Sequence, residues 1–279
     1  TVGFMEPAFM NRDIQASVNL FNNEMDYKES SYILKREGLS FNTSFSLSEY
    51  LYQSLGYSFE ERDLTPGALA SASIIAEKGT TAISMLSTSL TYNSLDSNLN
   101  PTEGYKISGG SSFAGIGGDK NFLKLYNNAN YYESFSDDLV ILDFGYALGF
   151  ITGLGEDILI SDRFFLGDSR FRGFEQAGIG PRDVVSGDSL GGNMYYTGSV
   201  KASFGVGLPP EIGVKGNIFT IFGTLTDVDK ATGTYHDDSS LRLSSGMGVS
   251  WASPFGPISV MFSHALLKED YDKTEAISF

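Results

Sequence analysis

The sequence predicts an all-β protein, a transmembrane antiparallel β-barrel, and three observations support this prediction. Apolar and polar residues alternate with a period of two along the whole chain, which is typical of strands that have one apolar face. Several alternating segments reach the roughly 10 residues that a tilted strand needs to cross a bilayer. Short turns alternate with long polar loops, as they do in outer-membrane barrels.

Turn-forming clusters of Asn, Asp, Gly, Pro and Ser divide the chain into about thirteen strands. The clearest is the segment 39–47, where Phe41 and Phe45 point to one side and Ser40 and Asn42 to the other. In chain order, the predicted strands cover residues 1–9, 14–22, 32–47, 50–60, 80–94, 104–114, 121–134, 139–152, 193–204, 212–225, 240–252, 257–267 and 274–279.

The predicted connections differ in length on the two sides of the sheet. Tight turns are expected near residues 11–13, 48–49, 136–138 and 253–257. Long polar loops are expected near residues 22–31, 60–79, 153–192 and 227–239.

A soluble β-sandwich also alternates, and it would pack Phe41 and Phe45 against a second sheet. Two features favour the barrel. The polar face carries Ser, Asn, Thr and Gly, which suit a wet interior better than a Lys- and Glu-rich surface would. Aromatic residues gather near predicted strand ends, as in an interfacial girdle. These are Tyr50, Tyr52, Tyr57, Phe59, Tyr131, Tyr132, Phe164 and Phe165.

Composition argues against most enzyme classes and against a cofactor or metal site. The chain has no Cys and only two His, so it offers no thiolate ligand and little material for a zinc site or a catalytic triad. The acidic loop that holds Asp227, Asp229, Asp237 and Asp238 does not have the ligand spacing of an EF-hand. The formal charge of −15 disfavours a nucleic-acid partner, because such binding depends on Lys and Arg at phosphates.

The longest predicted loop carries four motifs in a fixed order. They are Asp162–Gly167, Phe171–Phe174, Gly178–Asp183 and Leu190–Asn193. The ordered set resembles the sixth extracellular loop of the BamA family, the barrel assembly factors of bacterial, mitochondrial and plastid outer membranes. In that family an Arg-Gly-Phe/Tyr motif folds back into the barrel. The resemblance therefore implies that residues 153–192 fold into the lumen of a single barrel domain, 1–279.

Two further segments resemble turns of the same family, and one resembles the approach to its last strand. They are Asn100–Gly104, Ser253–Pro257 and Asp270–Thr274. The family barrel has sixteen strands, and this chain aligns from near the end of the fourth. We therefore expect the periplasmic POTRA domains and the first strands to be absent from this chain, which begins with Thr1, and the last strand to stop early. Such a barrel could not close by the family's own route.

The resemblance also identifies a latch motif, Phe171, Arg172, Gly173 and Phe174, whose Arg is held in relatives by acidic side chains on the barrel wall. This sequence departs from that pattern, because the corresponding positions carry Lys201, Ile221 and Met261. Carboxylates that could substitute as partners of Arg172 are Asp143, Asp168 and Glu175.

The resemblance implies a non-enzymatic function in a Gram-negative outer membrane, namely insertion of nascent β-barrel proteins by strand addition at a lateral seam. The implied partners are membrane lipid, the client barrels, and accessory lipoproteins that bind the POTRA domains. Since the seam strand is expected to be absent, the chain alone should keep the scaffold but not the insertase activity. A two-partner secretion transporter or a passive pore of the same superfamily is the alternative function.

Overall fold

A computed structural model describes residues 1–135, 139–209, 212–229, 232–253 and 256–278. Within these residues, thirteen strands form one antiparallel sheet in which each strand pairs with its neighbours along the chain. They are β1 (Val2–Glu6), β2 (Ile14–Tyr27), β3 (Tyr32–Ser46), β4 (Leu51–Pro66), β5 (Gly79–Asn93), β6 (Gly104–Gly118), β7 (Phe122–Phe135), β8 (Val140–Gly153), β10 (Met194–Gly205), β11 (Val214–Thr226), β13 (Arg242–Ser253), β14 (Gly256–Leu267) and β15 (Ile277–Ser278).

Little regular structure lies outside this sheet. Two short strands, β9 (Arg182–Asp183) and β12 (Tyr235–His236), pair with each other. The described part of the chain has one α-helix, α1 (Ala72–Ala76), and short 3-10 turns at Phe9–Asn11, Lys28–Ser30 and Asp168–Arg170. The predicted all-β class and the strand count are therefore confirmed.

No helix in the described ranges combines the length and the apolar composition that crossing a membrane requires.

The sheet separates the alternating residues into two faces. One row of cross-strand partners contains apolar side chains on seven successive strands: Phe4, Val18, Phe41, Tyr57, Leu86, Phe113 and Leu123. The next row, on the opposite face, holds Ser17, Asn42, Gly56, Ser87, Ser112 and Lys124. We call the apolar face the outer face and the other the inner face. Phe41 keeps 48% of its surface exposed, so no second sheet covers it, and the β-sandwich alternative is wrong.

The strands near the long loops are longer than predicted. The expected loop at 22–31 is the end of a hairpin, since β2 and β3 continue to Tyr27 and Tyr32 and leave only a 3-10 turn between them. β4 likewise continues to Pro66 and shortens the expected loop at 60–79. These extensions carry charged partners such as Glu24 and Lys35, so the outer face stops being apolar while the backbone ladder continues.

Three of the aromatic residues predicted for the girdle lie elsewhere. Phe164 and Phe165 do not belong to an aromatic girdle, because they lie in the loop between β8 and β10 and pack against buried apolar clusters. Tyr132 also points to the inner face, since its cross-strand partner is Asp143. The predicted turn at 136–138 and part of the turn at 253–257 lie outside the described residues.

The sheet curls so that its two ends approach each other. Lys273, which follows β14, pairs with Glu29, which lies between β2 and β3, at 2.6 Å from Nζ to Oε2. No strand pairing joins β1 to β14 or β15 among the residues described. β14 itself pairs with β15 only at Met261 and Phe262. The described sheet is therefore curled but not closed by hydrogen bonds.

If the outer face lies against lipid, a charge placed there should destabilise the protein far more than the same charge on the inner face. We expect Leu55→Arg, at the middle of the apolar outer-face segment 51–59 of β4 and with 47% of the residue exposed, to lower the free energy of unfolding by about 2–4 kcal/mol. Ser54→Arg is the matched control, since Ser54 lines a polar inner-face cavity, and it should change stability little. The measurement is urea unfolding in lipid vesicles. Equal losses for the two variants would contradict the assignment of faces.

An internal loop as candidate functional site

The candidate site is the segment 154–193, which connects β8 to β10 and packs on the inner face of the sheet. We call it the internal loop. Its buried apolar residues join clusters with three parts of the wall. Ile160 and Leu190 pack with residues of β3 and β4, Ile158 packs with residues of β5 to β8, and a third group packs with β11 and β14. The loop therefore packs against the inner face of the curled sheet in three places.

A chain of buried ion pairs holds the base of the internal loop against β3 and β4. Arg62 Nη1 lies 2.7 Å from Asp162 Oδ1, and Arg62 Nη2 lies 2.5 Å from Glu60 Oε1. Arg36 also contacts Glu60, at 2.6 Å. Glu60, Arg62 and Asp162 are almost fully buried, so each charge depends on its neighbours for compensation.

Arg163 organises the backbone of the loop base. Its guanidinium donates hydrogen bonds to the carbonyls of Ile158 and Leu190, which bring the two ends of the loop together. Burial lowers the pKa of Arg163, and the nearby charge of Glu77 opposes that effect.

Asp188 connects the internal loop to the extended hairpin and to α1. It accepts hydrogen bonds from Ser31 Oγ at 2.6 Å and from the Ser71 amide at 2.7 Å. The Ser189 amide donates to the Glu29 carbonyl at 2.8 Å. Hydrogen bonds from Asp188 and Ser189 thus hold the internal loop at places that the Phe171–Phe174 motif does not predict.

The tip of the internal loop is held by apolar contact. Phe171 and Phe174 are both 0% exposed, and their rings meet edge to face at 5.2 Å. They belong to a cluster, here the tip cluster, that also contains Ile221 of β11 and Met261 of β14. The full membership is Leu166, Phe171, Phe174, Ile179, Phe219, Ile221, Leu225 and Met261. Two of the three positions where the family resemblance implies acids therefore pack against aromatic rings instead.

Gly173 allows the tip to approach the wall. Its φ of 99° lies in the region that favours glycine, and a Cβ there would stand 2.9 Å from the Cβ of Ser244. A larger residue at this position would be strained and would push the tip away from β13.

Backbone hydrogen bonds also connect the tip to residues 268–276, which we call the strap. The Glu175 amide donates to the Lys273 carbonyl, the Lys273 amide to Gly178, and the Glu275 amide to Gly173, at 3.0–3.2 Å. This short ladder fixes the tip from the side opposite to the tip cluster.

Arg172 does not form the ion pair that the sequence suggests. Among the described residues it has no hydrogen bond or ion pair, and its closest aromatic neighbour is the Phe219 ring, at 5.8 Å from Cζ to the centroid. Asp143 is engaged elsewhere, because Lys201 Nζ lies 3.1 Å from its Oδ2 and Asn130 donates to its Oδ1. Lys201 occupies the third position where the family resemblance implies an acid, and its charge neutralises Asp143.

The other two candidate partners of Arg172 are also not paired with it in the described part of the chain. Asp168 is exposed on the 3-10 turn and acts on Arg172 only through its charge at longer range. Glu175 takes part in the strap ladder through its amide, and its charge acts on Arg182. The expected substitute latch by Asp143, Asp168 or Glu175 is therefore not formed.

A buried cation that sequence reasoning missed holds the strap. Arg242 and Asp272 both have side chains that are 0% exposed, with 3.0 Å between Nε and Oδ2. The guanidinium also donates to the Tyr271 hydroxyl and to Asp238, and Tyr271 donates to Asp238. Arg242 interrupts a strand whose inner face otherwise carries Ser and Gly, and that interruption was the available signal.

The acidic loop near Asp238 is a structural element and not a merely solvated loop. Asp237 accepts hydrogen bonds from Thr226, Asp227 and Val228, and Asp229 accepts one from the Ile158 amide. Partial burial raises the pKa of Asp238, but hydrogen bonds from Ser240 and Tyr271 and the charge of Arg242 outweigh that effect and lower it to about 2. Within the described ranges, no group of three or more His, Asp or Glu residues could hold a metal ion.

The chain is similar to known proteins over nearly its whole length. The family described as the Omp85 superfamily domain matches residues 1–279. The chain is 35% identical over 269 residues to the outer membrane protein assembly factor BamA of Neorickettsia risticii (strain Illinois), a match that covers 95% of this chain and 36% of that protein. The chain thus spans about a third of the length of this relative.

Two solved structures share the fold. BamA from Haemophilus ducreyi lacking POTRA domains 1–3 superposes with a TM-score of 0.85 at 19% identity, over 99% of this chain and 60% of that one. CdiB from Acinetobacter baumannii superposes with a TM-score of 0.58 at 11% identity, over 95% of this chain and 45% of that one. The curled sheet is therefore a β-barrel fold of the BamA type.

The tip geometry predicts that apolar packing, and not the charge of Arg172, stabilises the docked loop. Phe174→Ala should lower the free energy of unfolding by about 3–5 kcal/mol, because it leaves a cavity in the tip cluster. Arg172→Met keeps the length of the side chain and should change stability by less than about 1 kcal/mol. Both values can be measured by urea unfolding in vesicles. A larger loss for Arg172→Met than for Phe174→Ala would contradict this account.

The Arg242 network gives a second prediction for the same assay. Arg242→Met should lower the free energy of unfolding by about 3–5 kcal/mol, because it leaves Asp272 buried and uncompensated. The double variant Arg242→Met/Asp272→Leu should recover part of that loss. Lys35→Met removes an exposed pair with Glu37, at 3.5 Å, and should stay within about 1 kcal/mol of the parent protein. A loss for Arg242→Met no larger than this control would show that the network does not hold the strap.

Proposed function

This chain belongs to the Omp85 superfamily, and we propose that it is the barrel domain of a BamA-type assembly factor that inserts β-barrel proteins into a bacterial outer membrane. The observation that carries the proposal is the 35% identity to the Neorickettsia risticii assembly factor over 95% of this chain. The same fold as the Haemophilus ducreyi barrel supports it. Since the match covers only about a third of the relative's length, we propose the activity and the partners of this chain on the basis of that likeness.

The outer face supports a place in the membrane. Its exposed apolar side chains include Leu55, Leu86, Phe144 and Leu148 on three different strands. Tyr50, Tyr52 and Tyr131 are exposed near strand ends, where their amphipathic rings suit the boundary between lipid and water. Phe59 was predicted to belong to the same girdle, but it lies at the middle of β4. Membrane lipid is therefore the proposed partner of this face.

The proposed mechanism uses backbone hydrogen bonds and no covalent chemistry. An unpaired strand edge offers a row of amides and carbonyls to which another strand can add. Within the described residues, β14 has strand partners on its far edge only at Met261 and Phe262, and β1 is the other edge of the sheet. We propose that a client strand adds at the seam between these edges.

We propose that the internal loop holds β13 and β14 in place while the strand edge beside them is unpaired. The tip cluster and the strap both contact the strands next to this edge, through Met261 of β14 and Arg242 of β13. A fixed tip at that place would hold β13 and β14 in register without a closed ladder. The proposal also includes POTRA domains that precede this chain and bind accessory lipoproteins.

A two-partner secretion transporter is the second candidate, because the CdiB structure shares the fold. At 11% identity this likeness shows the fold alone. A secretion channel would release its substrate as a soluble chain on the far side of the membrane. An assembly factor would leave its substrate folded in the bilayer.

Client insertion into vesicles tests both functions. A longer protein that adds POTRA domains and preceding strands to this chain should speed the folding of an unfolded β-barrel client, measured by its heat-modifiable migration in gels. The chain alone, reconstituted in the same way, should not, because no strand pairing joins β1 to β14 or β15 in its described sheet. Insertion at the full rate by the chain alone would contradict the proposed mechanism. Soluble client inside the vesicles would favour the secretion function.

A further inference from the structure

A cavity of about 550 Å³ lies below the tip of the internal loop. It is formed where β8 begins and where β10 ends, β11 begins and β13 ends, so it lies at the end of the barrel that carries the short turns. Arg172 lines it from the loop, and Lys201, Lys215 and Asp143 line it from the wall.

The charged side chains in the lining are mostly cationic. Arg172, Lys201 and Lys215 face a single described carboxylate, Asp143, which Lys201 already neutralises. Among the described residues, neither Arg172 nor Lys215 forms an ion pair. This local excess of positive charge stands out in a chain whose net charge is −15.

Arg172 in particular lacks compensation. Burial lowers its pKa, and the distant charge of Asp168 offsets that effect only in part. A half-buried guanidinium without a carboxylate is unfavourable, and an anion in the cavity would relieve it by charge-assisted hydrogen bonds.

The rest of the lining suits a peptide better than a single small ion. Ser203, Asn217, Ser250 and Ser259 supply hydrogen-bonding groups, and Tyr132, Ile141 and Met261 supply apolar surface. Asn217 is buried, accepts a hydrogen bond from Ser203 and donates one to Ser250, so this part of the wall is preorganised. A volume of about 550 Å³ lies within the range of about 300–1,000 Å³ for organic ligands.

We propose that this cavity is a binding site for an acidic polypeptide segment, with Arg172 and Lys215 as the groups that bind its carboxylates. The sheet separates the cavity from lipid headgroups, and the overall negative charge of the chain disfavours a long polyanion such as nucleic acid. The site goes beyond the proposed assembly function, because it lies in the lumen and not at the strand edge.

Trp251 gives a direct test, since it is the single Trp of the chain and follows Ser250 at the end of β13 that borders the cavity. The reconstituted protein is titrated with hexaglutamate, with hexaglutamine as the uncharged peptide, and with inorganic phosphate, while Trp251 fluorescence is followed. We expect a saturable change with hexaglutamate alone. Arg172→Gln and Lys215→Gln should each weaken its binding about tenfold, as loss of a charged hydrogen bond predicts.

Lys78→Gln is the matched control, because Lys78 is exposed and does not line this cavity. It should bind hexaglutamate as the parent does. Heat-modifiable migration of every variant shows whether the barrel is folded. An equal response to phosphate would reveal a small-anion site, and an equal response to hexaglutamine would reveal apolar binding. Either result, or no saturable change, overturns the proposal and leaves the proposed assembly function untouched, since client insertion is measured separately.

Discussion

The burial of Phe171 and Phe174 against the barrel wall is the interaction on which the position of the internal loop depends. Each fully buried aromatic side chain contributes about 1.5–3 kcal/mol relative to an exposed one. A buried ion pair contributes much less on balance, because desolvation of both charges offsets their attraction. Ile221 and Met261 in place of acids are therefore a consistent solution, since they extend the apolar surface that the two rings contact.

Buried ion pairs lie at two other places in this structure. The loop base depends on Arg62 and Asp162, and the strap depends on Arg242 and Asp272. Both pairs are buried and both have additional partners, which is the condition under which buried charges are tolerated. Arg172 is left half-buried above a cationic cavity, and no described carboxylate pairs with it.

The sequence predicted the features that repeat and missed those that depend on distant contacts. Alternation alone predicted the strand count and the outer position of Phe41, because a period of two is a local property. The expectation that residues 153–192 fold into the lumen came from the order of the loop motifs and their resemblance to a family, and not from a local pattern. Arg242 stands out on the inner face of β13, but Asp272 lies 30 positions away, and nothing in the local sequence identifies it as the partner. The extension of β2 to Tyr27 was missed because Asn22, Asn23, Glu24 and Asp26 obscure the alternation that Met25 and Tyr27 continue.

Hydrogen exchange at the backbone amides of the strap ladder tests most directly whether the loop tip is docked in the way described. The amides of Glu175, Lys273 and Glu275 donate to carbonyls across the contact between tip and strap. In the reconstituted protein they should exchange far more slowly than the exposed amide of Ser169, which has no described hydrogen bond. They should stay protected in Arg172→Met and lose protection in Phe174→Ala. Rapid exchange of all three amides in the parent protein would contradict the account.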